Sequence, residues 1–169
     1  AGSNVVPSLN MNLNDLSAAV GRVSLERLPE TVERRRKVAE TVKEALEESE
    51  AVSVGWQPDE ARCSYWFLRI SLEPEKLTVD KAGFCEALSA EGIPVNPSYR
   101  HIPSEQLWWT EEGWCPWNFR RGQTEAPDMP NAVAVTDRNF NIGVHENYSD
   151  GDTRDIIRAL KKVEAAYRG

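Results

Sequence analysis

Residues 8–28 have the sequence SLNMNLNDLSAAVGRVSLERL, in which a polar, asparagine-rich segment runs into a helical pattern. Asn14 or Asp15 is a good N-cap, because its side-chain oxygen can accept a hydrogen bond from a free N–H group of the first helical turn. Apolar residues then recur at the three- and four-residue spacing of one helix face: Leu16, Ala19, Val20 and Val23. The sequence therefore predicts a helix that begins here.

Pro29 interrupts this pattern, and a second apolar stripe follows it: Val32, Ala39, Val42 and Leu46. Because proline is best tolerated in a first helical turn, either a second helix or a kinked continuation starts at Pro29 and ends near Ser49. The basic run 34–37 lies among many glutamates, which indicates a solvated helix face with pairs four residues apart.

Two segments alternate between apolar and polar residues as strands do. Residues 63–72 (CSYWFLRISL) predict a strand with one face formed by Trp66, Leu68, Ile70 and Leu72, and residues 139–144 (NFNIGV) predict another. Residues 93–96 (IPVN) predict a short strand, in which Pro94 favours an edge position because proline cannot donate to a ladder.

Two further helices carry recognisable ends. One begins at Thr78 or Asp80 and stops before Gly92, a typical C-terminal glycine. The other begins at Ser149, with Asp152 in the acidic position of a capping box. Its apolar stripe consists of Ile156, Ile157, Leu160, Val163 and Tyr167. Together the elements predict an α+β fold in which a small sheet packs against helices.

Residues 97–130 show no periodicity and contain Trp108, Trp109, Trp114 and Trp117 with five prolines. A loop of this length inside a compact domain is usually functional or wraps a partner. The tryptophans can equally form a local core that holds the loop in place.

Composition excludes several classes of function. The 169 residues fit one domain, and the net charge of −7 disfavours nucleic-acid binding, which depends on neutralising phosphates. Three cysteines without close spacing, Cys63, Cys85 and Cys115, fit a reducing compartment, so we expect a cytoplasmic protein. No stretch reaches the roughly 18 apolar residues of a membrane span.

No motif for catalysis or for a metal site stands out in the chain. It lacks phosphate-binding glycine loops, the GxSxG elbow and any zinc-ligand spacing, so we expect no catalytic residue and no metal. Cys115 with His101 could form a nucleophile and base, but nothing local activates the thiol. Asn10 and Asn12 precede a helix N-terminus, where amides can contact an anion or simply form turns.

The opening stretch resembles the DegT/StrS-type sugar aminotransferases, pyridoxal-phosphate (PLP) enzymes of the aspartate aminotransferase superfamily. The matching positions are Asn10, Leu13, Leu16, Ala18, Ala19, Gly21, Leu25 and Leu28. Residues 91–99 (EGIPVNPSY) and 139–167 are similar to later parts of that family. The resemblance implies the small domain of a fold-type I PLP enzyme, with a small, mostly antiparallel sheet. Residues 1–13 would end the linker from the large domain, and residues 14–169 would form the C-terminal small domain.

The resemblance also implies site residues. Asn10 matches an asparagine that reaches the cofactor phosphate of the neighbouring subunit, and Asn12 stands nearby where the family often has arginine, so a cation is lost there. Tyr99 matches a tyrosine near the substrate, and His145 stands where related sequences often have histidine.

The lysine, the acid and the stacking face that hold PLP come from the large domain in that family. We therefore expect a fragment, inactive alone, of a homodimeric enzyme that aminates a keto-sugar or keto-cyclitol from an amino-acid donor. Two alternatives remain at this point. One is a stand-alone, non-catalytic binding module that uses the tryptophan-rich segment 108–117, and the other is a small enzyme using Cys115 or His145.

Overall fold

A four-stranded sheet, antiparallel throughout, organises the fold. The structure, a computed structural model, describes residues 13–106, 125 and 127–169. The strands are β1 (Val52–Val54), β2 (Phe67–Leu72), β3 (Val95–Asn96) and β4 (Asn139–Gly143), in the order β1-β2-β4-β3. Every neighbouring pair is antiparallel. The predicted α+β class is confirmed, and β3 lies at an edge, as Pro94 indicated.

Helix α1 (Asp15–Ala45) is continuous through Pro29, so a second helix does not start there. Asn14 is its N-cap, and its Oδ1 accepts a hydrogen bond from the Ser17 N–H at 2.8 Å. The described ranges contain three more α-helices: α2 (Lys81–Ala90), α3 (Pro130–Arg138) and α4 (Asp150–Tyr167).

The core lies between one face of the sheet and the helices α1, α2 and α4. Strands contribute Val52, Leu68, Ile70, Leu72, Phe140 and Ile142, and helices contribute Ala39, Val42, Phe84, Leu88, Ile156, Leu160 and Val163. These side chains are almost fully buried, and area removed from water is the main favourable term in folding. The predicted inward positions Leu68, Ile70 and Leu72 are confirmed.

Local capping signals were also confirmed. The Asp80 side chain caps α2 by accepting from the Gly83 N–H at 2.8 Å. Gly92 follows α2 with a φ of +89°, a left-handed conformation that favours glycine. Ser149 and Asp152 form the predicted capping box at the start of α4.

Two expectations about the strand predicted over 63–72 were wrong, and two short elements were missed. The strand predicted over 63–72 begins only at Phe67, and Trp66 is 72% exposed instead of lying in the core. The cause is Tyr65, whose φ of +46° breaks the alternation of side chains before the strand starts. Strand β1 and helix α3 were not predicted, because three residues and nine residues give too little periodicity.

Within the described ranges, no helix is both long and apolar enough to cross a bilayer. The same residues contain no group of His, Cys, Asp and Glu side chains arranged to hold a metal ion.

Candidate functional site

The face of the sheet opposite the core is polar and carries the candidate site. Because side chains alternate along a strand, β2 and β4 direct every second residue to this side. We call this the polar face: Ser53, Phe67, Arg69, Ser71, Asn96, Asn139, Asn141 and Gly143. The register places Arg69 opposite Asn141 and Asn141 opposite Asn96, so three polar residues lie in a row across β2, β4 and β3.

Tyr99, predicted to contact substrate, lies beside this row. Its ring packs at 5.2 Å from the Phe67 ring and edge-on at 4.8 Å from His101. The Arg69 guanidinium lies 5.8 Å from the centre of the Tyr99 ring and 5.7 Å from that of Phe67, a cation–π arrangement. Arg69 Nε also donates to Asn141 Oδ1 at 3.3 Å. Tyr99 is therefore part of a connected aromatic and polar cluster.

Arg100 fixes the backbone next to Tyr99. Its guanidinium makes a two-point contact with Glu105, at 2.7 and 2.6 Å, and a third hydrogen bond to Asp137 of α3 at 2.6 Å. These bonds, led by that to Glu105, raise the pKa of Arg100 above its ordinary value. The bond from Arg100 in turn lowers the pKa of Glu105. The clamp joins the segment that follows β3 to α3 and so restricts where Tyr99 can lie.

A shallow depression of about 290 Å³ opens on the polar face beside Tyr99. Trp66, Phe67, Pro94, Val95, Asn96, Tyr99, Asn141 and Gly143 line it. Asn141 is only 4% exposed, and its Nδ2 has no hydrogen-bond partner. A buried donor without an acceptor is costly, and so it marks a place where an acceptor would be stabilised.

His145 lies in different surroundings. Its Nδ1 accepts a hydrogen bond from the Asn147 N–H at 3.1 Å and lies 3.9 Å from the Glu146 carboxylate. The ring lies 6.1 Å from that of Tyr148. Among the described residues, the contacts of His145 and those of Tyr99 have no member in common, so the structure does not join the two into one cluster.

Glu146 connects the end of β4 to α1. Arg35 donates to its carboxylate at 2.8 Å, and Lys37 makes a similar pair with Asp150 at 2.7 Å. A backbone N–H and then Arg35 lower the pKa of Glu146. Within the basic run only Arg34 makes the predicted pair four residues away, with Glu30. The expectation for Arg35 and Lys37 was wrong, because both reach across to residues that precede and begin α4.

Asn10, Asn12, Cys115 and the tryptophans at 108–117 lie outside the described residues. Sequence reasoning missed Arg69, Asn96 and Asn141. The alternation of FLRISL and NFNIG places Arg69 and Asn141 away from the core, but only the register shows that they are neighbours.

The lysines do not fit a covalent PLP site. Lys37 pairs with Asp150, Lys81 donates to the Thr136 carbonyl at 2.8 Å, and Lys162 pairs with Glu91. The other three, Lys43, Lys76 and Lys161, are exposed or half-buried on helices and a turn. A Schiff-base lysine needs a desolvated pocket or a cationic neighbour, and no lysine of the described chain lies in one.

Comparison with known protein families identifies the class of this chain. The model of the DegT/DnrJ/EryC1/StrS aminotransferase family matches residues 2–161. The chain belongs to this family.

Individual proteins agree with that assignment. The spore coat polysaccharide biosynthesis protein SpsC of Bacillus subtilis is 25% identical over 157 residues, which are 93% of this chain and 38% of SpsC. The aminotransferase TlmJ from Streptoalloteichus hindustanus has a TM-score of 0.70 at 22% identity, over 91% of this chain and 37% of its own. The PLP-form of Spr1654 from Streptococcus pneumoniae has a TM-score of 0.70 at 20% identity, over 96% and 38%.

The structural likenesses establish the fold of the described chain. The 169 residues span less than two fifths of each of these relatives.

Proposed function

We propose that this chain is the C-terminal small domain of a PLP-dependent aminotransferase that moves an amino group from an amino acid to a keto-sugar or keto-cyclitol. Family membership over residues 2–161 supports the class of reaction, transfer of an amino group. The sugar is supported by the polysaccharide role in the name of SpsC, and the cofactor by the PLP-form of Spr1654. In this proposal residues 1–13 end the linker from a large domain, residues 14–169 form the small domain, and the protein works in the cytoplasm.

Within such an enzyme this chain would supply substrate contacts and a subunit contact. Tyr99, held by the Arg100 clamp, and His145, exposed after β4, would face the sugar. Asn10 and Asn12 would face the cofactor phosphate of the second subunit. The first half of α1 supports a homodimer and a large domain as partners, because its apolar side chains, such as Leu16 at 77% exposure, lack cover.

The chain alone would not transaminate. PLP, when bound, provides the electron sink for moving the amino group, and it needs a lysine, an acid and a stacking face. The described residues provide no such lysine, so these groups would come from the large domain.

The decisive test compares the 169-residue chain with the product of the complete natural reading frame. Each is supplied with PLP, glutamate and a panel of nucleotide-linked keto-sugars, and formation of 2-oxoglutarate and amino-sugar is measured. We expect turnover by the longer product alone. Turnover by the 169 residues, or a start codon immediately before Ala1, would contradict the proposal; the start codon would favour a stand-alone binding module.

Asn10 provides a test at one residue. In the longer product, Asn10→Ala should weaken PLP retention by about 1–3 kcal/mol, the usual cost of losing a hydrogen bond to a charged group. Dialysis followed by measurement of bound PLP reports the change. Asn131→Ala, an exposed asparagine of α3, is the matched control. Equal retention by the two variants would remove Asn10 from the cofactor site.

A further inference from the structure

Three nitrogen donors lie in a row on the polar face. Arg69, Asn141 and Asn96 occupy directly opposed positions on β2, β4 and β3, so their side chains stand next to one another at the spacing of neighbouring strands. Asn96 uses its Oδ1 to accept from the Ser98 N–H at 3.0 Å, which leaves its Nδ2 as the free end. The row therefore offers hydrogen-bond donors to anything that enters the depression beside Tyr99.

Asn141 is the central and most buried member. Its Oδ1 accepts from Arg69 Nε, and this bond orients the amide so that Nδ2 is its other end. That Nδ2 is buried without any acceptor. Asn139 Oδ1 is also buried and unpaired, but Asn139 lines the neighbouring depression with Ser71 and Arg138. Among the described residues, only Asn141 thus combines burial, an unpaired donor and contact with the depression beside Tyr99.

Arg69 brings an uncompensated positive charge to the edge of this depression. It lines the adjoining depression with Trp66 and Phe67, and it contacts Asn141 and Tyr99, which line this one. Among the described residues no carboxylate lies within ion-pair distance of its guanidinium, whereas Arg35 and Arg100 are each held by a carboxylate. Its one hydrogen bond to a described residue uses Nε, so both terminal nitrogens remain available on one planar edge. The rings of Phe67 and Tyr99 lie 5.7 and 5.8 Å from the guanidinium. Such an edge suits the two oxygens of a carboxylate or phosphate.

The remaining walls are flat and apolar. Trp66, Phe67 and Tyr99 line the depression, and aromatic faces pack well against the C–H surface of a ring. Donors on the floor and aromatic rings on the walls favour an anionic group attached to a compact ring.

We propose that Arg69 and Asn141, with Asn96 and Tyr99, form a subsite for the carboxylate or phosphate group of an acidic sugar. The choice of a sugar rests on the function proposed above, whereas the choice of an anion rests only on the donors and the charge. In this subsite the Arg69 guanidinium pairs with the anion, Asn141 Nδ2 donates a second hydrogen bond, and the Tyr99 ring packs against the sugar.

Binding of three simple probes to the 169-residue chain tests this proposal. Glucuronate, glucose-6-phosphate and neutral glucose are titrated while the amide and indole signals are followed by NMR. We expect at least one anionic probe to bind at least about tenfold more tightly than glucose, the usual effect of a charge-assisted hydrogen bond. Preference for glucuronate identifies a carboxylate, and preference for glucose-6-phosphate identifies a phosphate.

Two variants address the site, and one serves as control. Arg69→Gln should weaken binding of the preferred probe at least about tenfold and leave the binding of glucose unchanged. Gly143→Leu should block the depression that Gly143 lines, because a Cβ at this position meets no atom within 4 Å and the rest of the leucine would occupy the open space. Arg158→Gln on α4, whose arginine is exposed and paired with Asp155, should change nothing.

Binding of all three probes within about twofold of one another, or no binding at all, would overturn the proposal. So would an Arg69→Gln variant that binds as well as the unmodified chain. If Arg69→Gln fails to fold, Gly143→Leu decides, since it leaves the Arg69–Asn141 bond intact. None of these readouts uses transamination, so the subsite can fail while the aminotransferase function stands, and the reverse also holds.

Discussion

Glu164 is a buried carboxylate that joins α4 to the turn before β1. It is 4% exposed, and its Oε1 accepts hydrogen bonds from Ser49 Oγ at 2.7 Å and from the Ala51 N–H at 3.0 Å. Ala51 is itself completely buried, so its N–H has no access to water as a substitute.

Removing this acceptor should destabilise the fold. Glu164→Ala leaves the Ala51 N–H unpaired, which we expect to lower the free energy of unfolding by about 2 kcal/mol. Glu164→Gln keeps an oxygen in the same position and should cost less. Urea unfolding followed by tryptophan fluorescence measures both. Equal losses would show that the hydrogen bonds contribute little.

Tyr65 makes stability depend on alkaline pH. Burial, followed by its hydrogen bond to Glu40, raises the pKa of Tyr65 from 10.0 to about 12. Because the folded state favours the neutral phenol, its contribution is complete below pH 10.0 and is lost as the pH rises towards about 12. The thermal unfolding temperature of the unmodified chain should therefore fall between pH 10.0 and about 12, and that of Tyr65→Phe should fall less. Tyr148→Phe is the control; an identical fall in all three proteins would contradict the assignment.

At the scale of elements, the apolar stripe of α1 continues beyond the core into its first half. At about 100° per residue, Val20 lies in line with the buried Val38, and Leu28 lies within about 20° of the buried Ala39. The apolar residues of the first half are nevertheless all exposed: Leu16, Val20, Val23, Leu25 and Leu28. An exposed continuation of the buried stripe suits a neighbour that covers it.

The capping box of α4 lends itself to measurement. Ser149 Oγ accepts from the Asp152 N–H at 3.2 Å, and the Asp152 carboxylate accepts from the Ser149 N–H at 2.7 Å. Ser149→Ala should lower the free energy of unfolding by about 1 kcal/mol, the usual cost of an N-cap. Ser64→Ala, at an exposed serine, is the comparison in thermal unfolding. If the two variants unfold at the same temperature, the cap contributes nothing to stability.

Features set by neighbouring residues were predictable from sequence, and features set by distant residues were not. The Asn14 and Ser149 caps and the Gly92 stop follow from a few adjacent residues, and so α1, α2 and α4 were found. Tyr65 was missed because a left-handed tyrosine has no sequence signal. Tyr99 came from the family resemblance, whereas the Arg69–Asn141 pair joins residues 72 positions apart and depends on strand register.

At the scale of the whole molecule, the exposed half of α1 should cause self-association. Leu16, Val20 and Val23 form an apolar surface that water disfavours, so copies of the chain should pair through it as concentration rises. Leu16→Glu with Val20→Glu should shift the chain towards monomer. Ala18→Glu, at an exposed position about 160° around the helix from both Leu16 and Val20, should not. Sedimentation velocity over a wide concentration range measures this, and a strictly monomeric unmodified chain would contradict it.

The division of the sheet into a core face and a polar face also has an evolutionary consequence. Along β2 and β4, the residues that face the core are selected for folding. The residues between them, on the polar face, would be selected for the ligand in the subsite proposed above. With the subsite proposed above, exchange of Arg69, Asn141 or Gly143 would change the specificity while the residues between them preserve the scaffold. Among related domains, the amino acids at every second position of these strands should accordingly vary more than those between them.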